Sequence, residues 1–279
     1  MYSAPMQQII KSSSSSGVLI VGMTCVDTVW KCNEQIQPRG KSNFAKLSKS
    51  VGGVGANLAR AVARCDKHRQ TTFVTAVGTD SDGRMAMEEL SKELNIIPSP
   101  VSDDDVTGQY MCVAQNDGEL YVAAQDMAIA DRIDAQIPDS YFANCAAVLV
   151  DFNISRAALG TVLSSAGSKR IFLDPTSIFR IPDRFDVLPE LECCFPNVAE
   201  LYTFKLLACG EEVDFDNVSK VEDRVSSLAV DDMMIEIREM VNAIYSSKLG
   251  GPAYFVVTAA EHGAFYGKQI LPTAVSWKS

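Results

Sequence analysis

Apolar and polar positions along the chain fall into two alternating patterns. Short runs rich in β-branched residues recur, beginning with Val18-Leu19-Ile20-Val21, which Gly22 closes. A run with no polar alternation predicts a strand buried on both faces of a parallel sheet. Similar runs at 72–76, 147–150, 170–173 and 254–258 predict further strands. Between them the apolar residues take a helical period, at 56–64, 83–94, 155–165, 198–207 and 231–246. In the last of these Met233, Ile237, Met240, Val241 and Ile244 share one face. Strands alternating with helices predict an α/β fold, a three-layer sandwich around a mainly parallel central sheet.

Two segments, about 28–51 and 107–124, depart from this rhythm and alternate weakly between polar and apolar residues. In the second, Tyr110-Met111-Cys112-Val113 and Leu120-Tyr121-Val122-Ala123 flank a turn at Asn116-Asp117-Gly118. The pattern fits either a small β lid or two surface hairpins with no common role. Residues 1–16 have no apolar period and end in five consecutive serines, which predicts a disordered tail. The fold is expected to begin at Gly17, with 17–279 forming one domain.

Composition narrows the partner. A 279-residue chain that is 47% hydrophobic can bury a sizeable core. Its net charge of -10 leaves no broad basic field for a phosphate backbone, so a small molecule is expected rather than nucleic acid. No apolar run reaches the ~20 residues of a membrane span, and the first residues lack a secretory pattern. A cytoplasmic protein with no membrane partner is therefore expected, a nuclear one remaining open. The 8 cysteines show no CxxC pair or metal-like spacing and read as reduced structural thiols.

Candidate chemistry gathers at strand-to-helix junctions. Gly52-Gly53-Val54-Gly55-Ala56-Asn57 sets glycines before a helix, where backbone can approach a ligand. Alone, that reads more readily as a tight strand-to-helix connection. Asp27 follows the first strand, at the edge where α/β sheets bind ligands. Residues 73–83 supply a strand, a glycine turn and a helix start. Asn197 and Glu200 form an N-x-x-E at another junction, and Thr258 to Gly263 follow a further strand. At i and i+3, Asn197 and Glu200 suit an oxygen-rich, water-mediated magnesium site, or an ordinary helix cap with its capping-box partner. Asp151, Asn153 and Asp174 also end strands on this edge as lesser candidates, whereas His68 and His262 look incidental.

In order and spacing these blocks resemble the ribokinase-like (PfkB) sugar and nucleoside kinases from Gly17 to the last residue. The resemblance implies an ATP- and Mg2+-dependent phosphotransferase acting on an alcohol group, with a β lid over its substrate. It assigns substrate hydroxyls to Asp27, Gly52, Gly53 and Asn57, the magnesium and phosphate region to Asn197 and Glu200, and the nucleotide site to Thr258 and Gly263. Asn116-Asp117-Gly118-Glu119 and Asp126-Met127 are similar to stretches of the pseudouridine kinases. That places Asp126 at the substrate, unless it is only a solvated turn acid.

The alternatives are ribokinase- or adenosine-kinase-like activity, or a non-catalytic ligand-binding remnant, and a homodimer is compatible with each. Two departures stand out. Ala260 replaces a glycine of the T-x-G-x-x-G pattern, and no G-A-G-D motif occurs. The resemblance therefore implies that the catalytic Asp lies beyond Ser279, that the domain is incomplete at its C-terminus, and that this chain alone is inactive.

Overall fold

The computed structural model describes residues 17–37, 41–133, 137–270 and 274–278, so the expected tail at 1–16 lies outside the described residues. The chain divides into two compact units, 1–145 and 146–279.

The first unit opens with β1 (Gly17–Val21) and β2 (Cys25–Cys32), continues through β3 (Ala45–Gly52) and α1 (Val54–Cys65), and returns as β4 (Thr71–Thr75). α2 (Ser81–Leu90), β5 (Asn95–Pro98), β6 (Gly108–Ala114), β7 (Leu120–Asp126) and the short α3 (Asp139–Ala143) complete it. β1, β4 and β5 pair in parallel, in that order. Burial on both faces explains the unbroken apolar run of β1, since water reaches neither side. β4 carries threonines in the same setting, and two of them pair their hydroxyls: Thr75 Oγ1 bonds Thr24 Oγ1 at 2.9 Å, and Asn95 Nδ2 donates to Thr72 Oγ1 at 3.2 Å. α1 buries Gly55, Ala56, Ala59 and Val62, a narrow stripe of small residues that lets it lie close to its neighbours.

The two weakly alternating segments pair into one four-stranded sheet, ordered β3-β2-β6-β7. Each segment forms an antiparallel hairpin, and β2 joins β6 in parallel. One continuous sheet thus replaces the alternative of two unrelated hairpins. The expected helix at 83–94 is corrected: α2 starts at Ser81 and ends at Leu90. Asp80 sets the start by accepting from Gly83 N at 2.7 Å, while a turn across 91–94 delivers the chain into β5.

The second unit contains β8 (Cys145–Asp151), α4 (Arg156–Ala166), β9 (Arg170–Asp174), β10 (Cys193–Cys194), α5 (Val198–Ala208), α6 (Phe215–Ser226) and α7 (Val230–Ser246). β11 (Tyr254–Thr258), β12 (Ala264–Ile270) and β13 (Ala274–Lys278) follow. β8 through β11 are parallel neighbours, and β12 and β13 extend the sheet in antiparallel fashion. The face of α7 carrying Met233, Ile237, Met240, Val241 and Ile244 is buried as its period predicts. α5 is buried nearly all round because α6 and α7 both pack on it. Among the described residues no helix is long and apolar enough to cross a membrane.

Candidate functional site

In the first unit the glycine block and the acid are brought together. Asp27 lies in β2, and its carboxylate occupies the space a side chain would need at Gly52: a Cβ there would stand 2.0 Å from Asp27 Oδ2. The next residue, Gly53, has φ 97°, and a Cβ there would meet Met23 O at 2.5 Å and Cys25 N at 2.9 Å. Gly55 is closed in likewise, since a Cβ there would stand 2.6 Å from the backbone of Gly22 and Met23, and Ala56 N donates to Met23 O at 3.2 Å. The glycines therefore bring the start of α1 against the β1–β2 link, with no side chain capping the helix. Asp27 is half-buried, and Cys25 Sγ donates to its Oδ1 at 3.4 Å. Asn57 sits in α1 on its exposed side.

Asp126 is not brought to this place. It ends β7, where its Oδ1 accepts from Ala128 N at 3.2 Å as a turn acid does. In the sheet register Asp126 faces Gln109, which faces Val26, whereas Asp27 faces Tyr110, which faces Gln125. Side chains alternate along a strand, so Asp126 lies on the opposite face of the sheet from Asp27. That opposite face meets α2, where Asp82 accepts from Gln109 Nε2 at 2.8 Å and Lys49 Nζ at 2.6 Å. The residues sharing the face of Asp27 are Ser50, Tyr110 and Gln125, which sequence reasoning missed. Pairing alone reveals them, since strand parity has no meaning before the register is known.

The glycine turn at 78–83 has a structural use. A Cβ at Gly83 would fall 1.9 Å from Gly78 O, so the two glycines close on each other. Thr107, which leads into β6, gives its hydroxyl to Asp80 Oδ1 at 2.8 Å, its N–H to Asp80 Oδ2 at 2.8 Å, and accepts from Gly78 N at 2.9 Å.

In the second unit the acids collect at the carboxyl ends of parallel strands. Asp151 and Asp174 are register partners at the ends of β8 and β9. Asp151 Oδ1 accepts from Asn153 N at 2.9 Å and Asp174 Oδ1 from Thr176 N at 2.8 Å. Asn197 caps α5 in a complete capping box: its Oδ1 accepts from Glu200 N at 2.8 Å, and Glu200 Oε2 accepts from Asn197 N at 2.9 Å. Thr258 is brought beside this cap by a parallel bridge between Asn197 and Thr258, with Thr258 N donating to Pro196 O at 2.9 Å. Gly263 closes the following turn at φ 88°, and Ala260 adopts φ 45°, the region in which glycine is at ease.

Burial governs the charge of these acids. It pushes Glu200 up to about 7; the Asn197 N–H opposes this, and the carboxylates of Asp174 and Glu222 add to it. Asp174 is pushed up to about 6, again chiefly by burial, with the Thr176 N–H opposing and Asp151 adding. Both acids thus change charge close to neutral pH. Burial also holds the thiols of Cys193 and Cys194 well above their ordinary range, consistent with structural cysteines. His262 Nε2 lies 3.2 Å from Ser226 O and 3.9 Å from Glu261 Oε1, and the backbone N–H of His68 donates to Asp66 Oδ1 at 3.1 Å.

Among the described residues no group of three or more His, Cys, Asp or Glu is placed to hold a metal ion. A magnesium ion commonly keeps several waters and takes one or two carboxylates plus substrate phosphates, and Glu200 with Asp174 suits that division of ligands.

Residues 16–204 match the pfkB family of carbohydrate kinases. The chain is 26% identical over 206 residues to the pseudouridine kinase of Escherichia coli (strain K12), an alignment covering 72% of this chain and 65% of that protein, just under two thirds of its length. Two solved structures share the fold. One is the ribokinase of Cryptococcus neoformans var. grubii serotype A in complex with ADP, at TM-score 0.71 and 20% identity, covering 95% of this chain and 79% of that one. The other is the Arabidopsis thaliana ribokinase complexed with ribose and ATP, at TM-score 0.66 and 17% identity, covering 95% and 77%. The α/β fold with a mostly parallel central sheet is the one these ribokinases have.

Proposed function

Because the chain belongs to the pfkB family of carbohydrate kinases, we propose that it serves phosphoryl transfer from ATP to a sugar or nucleoside hydroxyl, with the 5′-hydroxyl of pseudouridine as the acceptor. The observation that carries this reading is the Asp27 carboxylate lying over the bare face of Gly52 beside the Gly53 turn. A carboxylate held there can accept two hydroxyls of one sugar, each bond being charge-assisted and worth roughly 1.5–3 kcal/mol. The glycines let the start of α1 and the Asp27 carboxylate pack against the β1–β2 link, which fixes where that carboxylate stands.

The second unit takes the phosphate side of the reaction. The N-terminus of α5, fixed by the Asn197–Glu200 box, offers the positive end of a helix to an anion. Thr258, beside Asn197, adds a hydroxyl to that place. Magnesium, arriving with the nucleotide, would supply charge neutralisation for the phosphates, and Glu200 and Asp174 would hold its waters when ionised. Positioning and charge are most of what phosphoryl transfer asks of a protein.

Pseudouridine is preferred as acceptor on the similarity of the 116–119 and 126–127 stretches and on the Escherichia coli relative. The test is thermal stabilisation of the chain by ribose, adenosine, uridine and pseudouridine, since a ligand that binds only the native state raises its Tm. The largest shift is expected with pseudouridine, and uridine, which differs in its glycosidic linkage, should give less. A larger shift with adenosine or ribose would move the acceptor to that compound, and no shift with any of them would remove the acceptor role of Asp27.

A further inference from the structure

We infer that Tyr110 and Gln125 form, with Asp27, a single row across the four-stranded sheet that reads the base of a nucleoside and so selects nucleosides over free sugars. The inference rests on the reading of Asp27 as the residue that holds sugar hydroxyls. The register puts Asp27 of β2 opposite Tyr110 of β6, and Tyr110 opposite Gln125 of β7. Residues paired in this way point to the same face. Neighbouring strands are spaced by about 5 Å, so Tyr110 stands about one strand and Gln125 about two strands, roughly 10 Å, from Asp27 along a straight line. A ribose bonded to Asp27 would carry its base over the next strand and present the far edge of that base at the strand beyond.

The chemistry of the row follows the same order. Tyr110, half-buried, offers an aromatic face or a hydroxyl where the base begins. Gln125 is exposed, and its carboxamide sets a donor beside an acceptor, the complement of an adjacent C=O and N–H on a base edge. Among the described residues neither the Tyr110 hydroxyl nor the Gln125 carboxamide is committed to another side chain, and β7 is exposed along its whole length. A free sugar gives these two positions nothing to bind. The register irregularity of this hairpin lies between Val113 and Ala114, beyond the row, and leaves its alignment intact.

Calorimetric titration of the whole chain with pseudouridine, uridine and ribose tests the row. Gln125→Ala, an exposed change that should not disturb folding, is expected to weaken nucleoside binding roughly 10-fold, the scale of one hydrogen bond, while leaving ribose unchanged. Tyr110→Leu should weaken nucleosides about 10-fold or more through lost stacking, again sparing ribose. Asp27→Ala should weaken nucleosides and ribose together. If Asp27→Ala behaves so while Gln125→Ala and Tyr110→Leu bind nucleosides as the wild type does, the row is wrong and the role of Asp27 stands. Equal losses for ribose and nucleoside in the Gln125 variant also overturn it. Unchanged binding in Asp27→Ala removes the reading beneath it.

Discussion

The two units use glycine for different ends. In the first, Gly52, Gly53, Gly55, Gly78 and Gly83 are closed in, each with a neighbouring atom 1.9–2.6 Å from where a Cβ would stand. In the second, Gly160, Gly167, Gly210, Gly250 and Gly263 have nothing within 4 Å of that position. The first unit needs the absent side chain so that backbone and the Asp27 carboxylate can pack; the second mostly needs the backbone freedom, as at Gly263 with φ 88°. The acids differ in parallel. Asp27 and Asp174 are both half-buried and Glu200 is buried, and desolvation raises Asp174 and Glu200 toward neutrality. On the proposed function, the first unit takes the hydroxyl-bearing acceptor, and the acids of the second take the charge of a cation.

The largest effect that sharpens this contrast should come from Gly53→Ala. Left-handed strain of about 1–2 kcal/mol adds to the overlap with Met23 O, so a loss of at least ~2 kcal/mol is expected in denaturant unfolding. Gly263→Ala, with open space around it, should lose only the strain, about 1–2 kcal/mol. Equal losses at the two positions would erase the distinction between close approach and backbone freedom.

The pH dependence of stability probes the second unit. Glu200 has a folded pKa near 7 against an ordinary 4.5. Its proton is therefore bound more tightly in the folded chain, and stability falls as pH rises from about 4.5 to 7, then levels off. The total is on the order of 3 kcal/mol, at ~1.4 kcal/mol for each factor of ten. Glu200→Gln keeps a capping-box partner without the charge. It should flatten this slope and raise Tm at pH 8; a Tm at pH 8 below that of the wild type would show that the ionised acid is stabilised by something else. Asp174, raised from 3.8 to about 6, keeps its own fall between those values in the variant.

Much of this was legible in the sequence because burial on two faces writes unbroken apolar runs, as in β1 and β8, and one buried face writes a helical period, as in α7. The missed elements leave no such trace. β10 is two residues long, and α6 buries only Val218 and Val225, too sparse a stripe to stand out. Both meanings of the N-x-x-E were foreseen, and the capping box is present. The facing of the lid-like strands was not legible: the Asp126-Met127 stretch resembles a substrate contact, but one position of parity sends Asp126 to the α2 face.

Two small effects complete the contrast. Asp126→Ala should change nucleoside affinity less than about 3-fold in the same titration, as an exposed turn acid would; a loss comparable to that of Asp27→Ala would show that the sheet turns its other face to the ligand. Ala260→Gly should relieve left-handed strain but free the unfolded chain, for a net gain of up to ~1 kcal/mol in unfolding experiments. A clear loss would mean that the Ala260 side chain is itself a packing group.

The proposed assignment of acceptor to Asp27 and phosphate to Glu200 is tested most directly by one pair of titrations on the intact chain, pseudouridine and magnesium–ATP, each against wild type, Asp27→Ala and Glu200→Gln. Asp27→Ala is expected to weaken pseudouridine by roughly 100-fold or more, the loss of two charge-assisted bonds, and to leave the nucleotide within about 3-fold. Glu200→Gln is expected to do the reverse, weakening magnesium–ATP at pH 8 and sparing pseudouridine. If Asp27→Ala binds pseudouridine as tightly as the wild type, or if each variant weakens both ligands alike, the two units do not divide acceptor and phosphate between them.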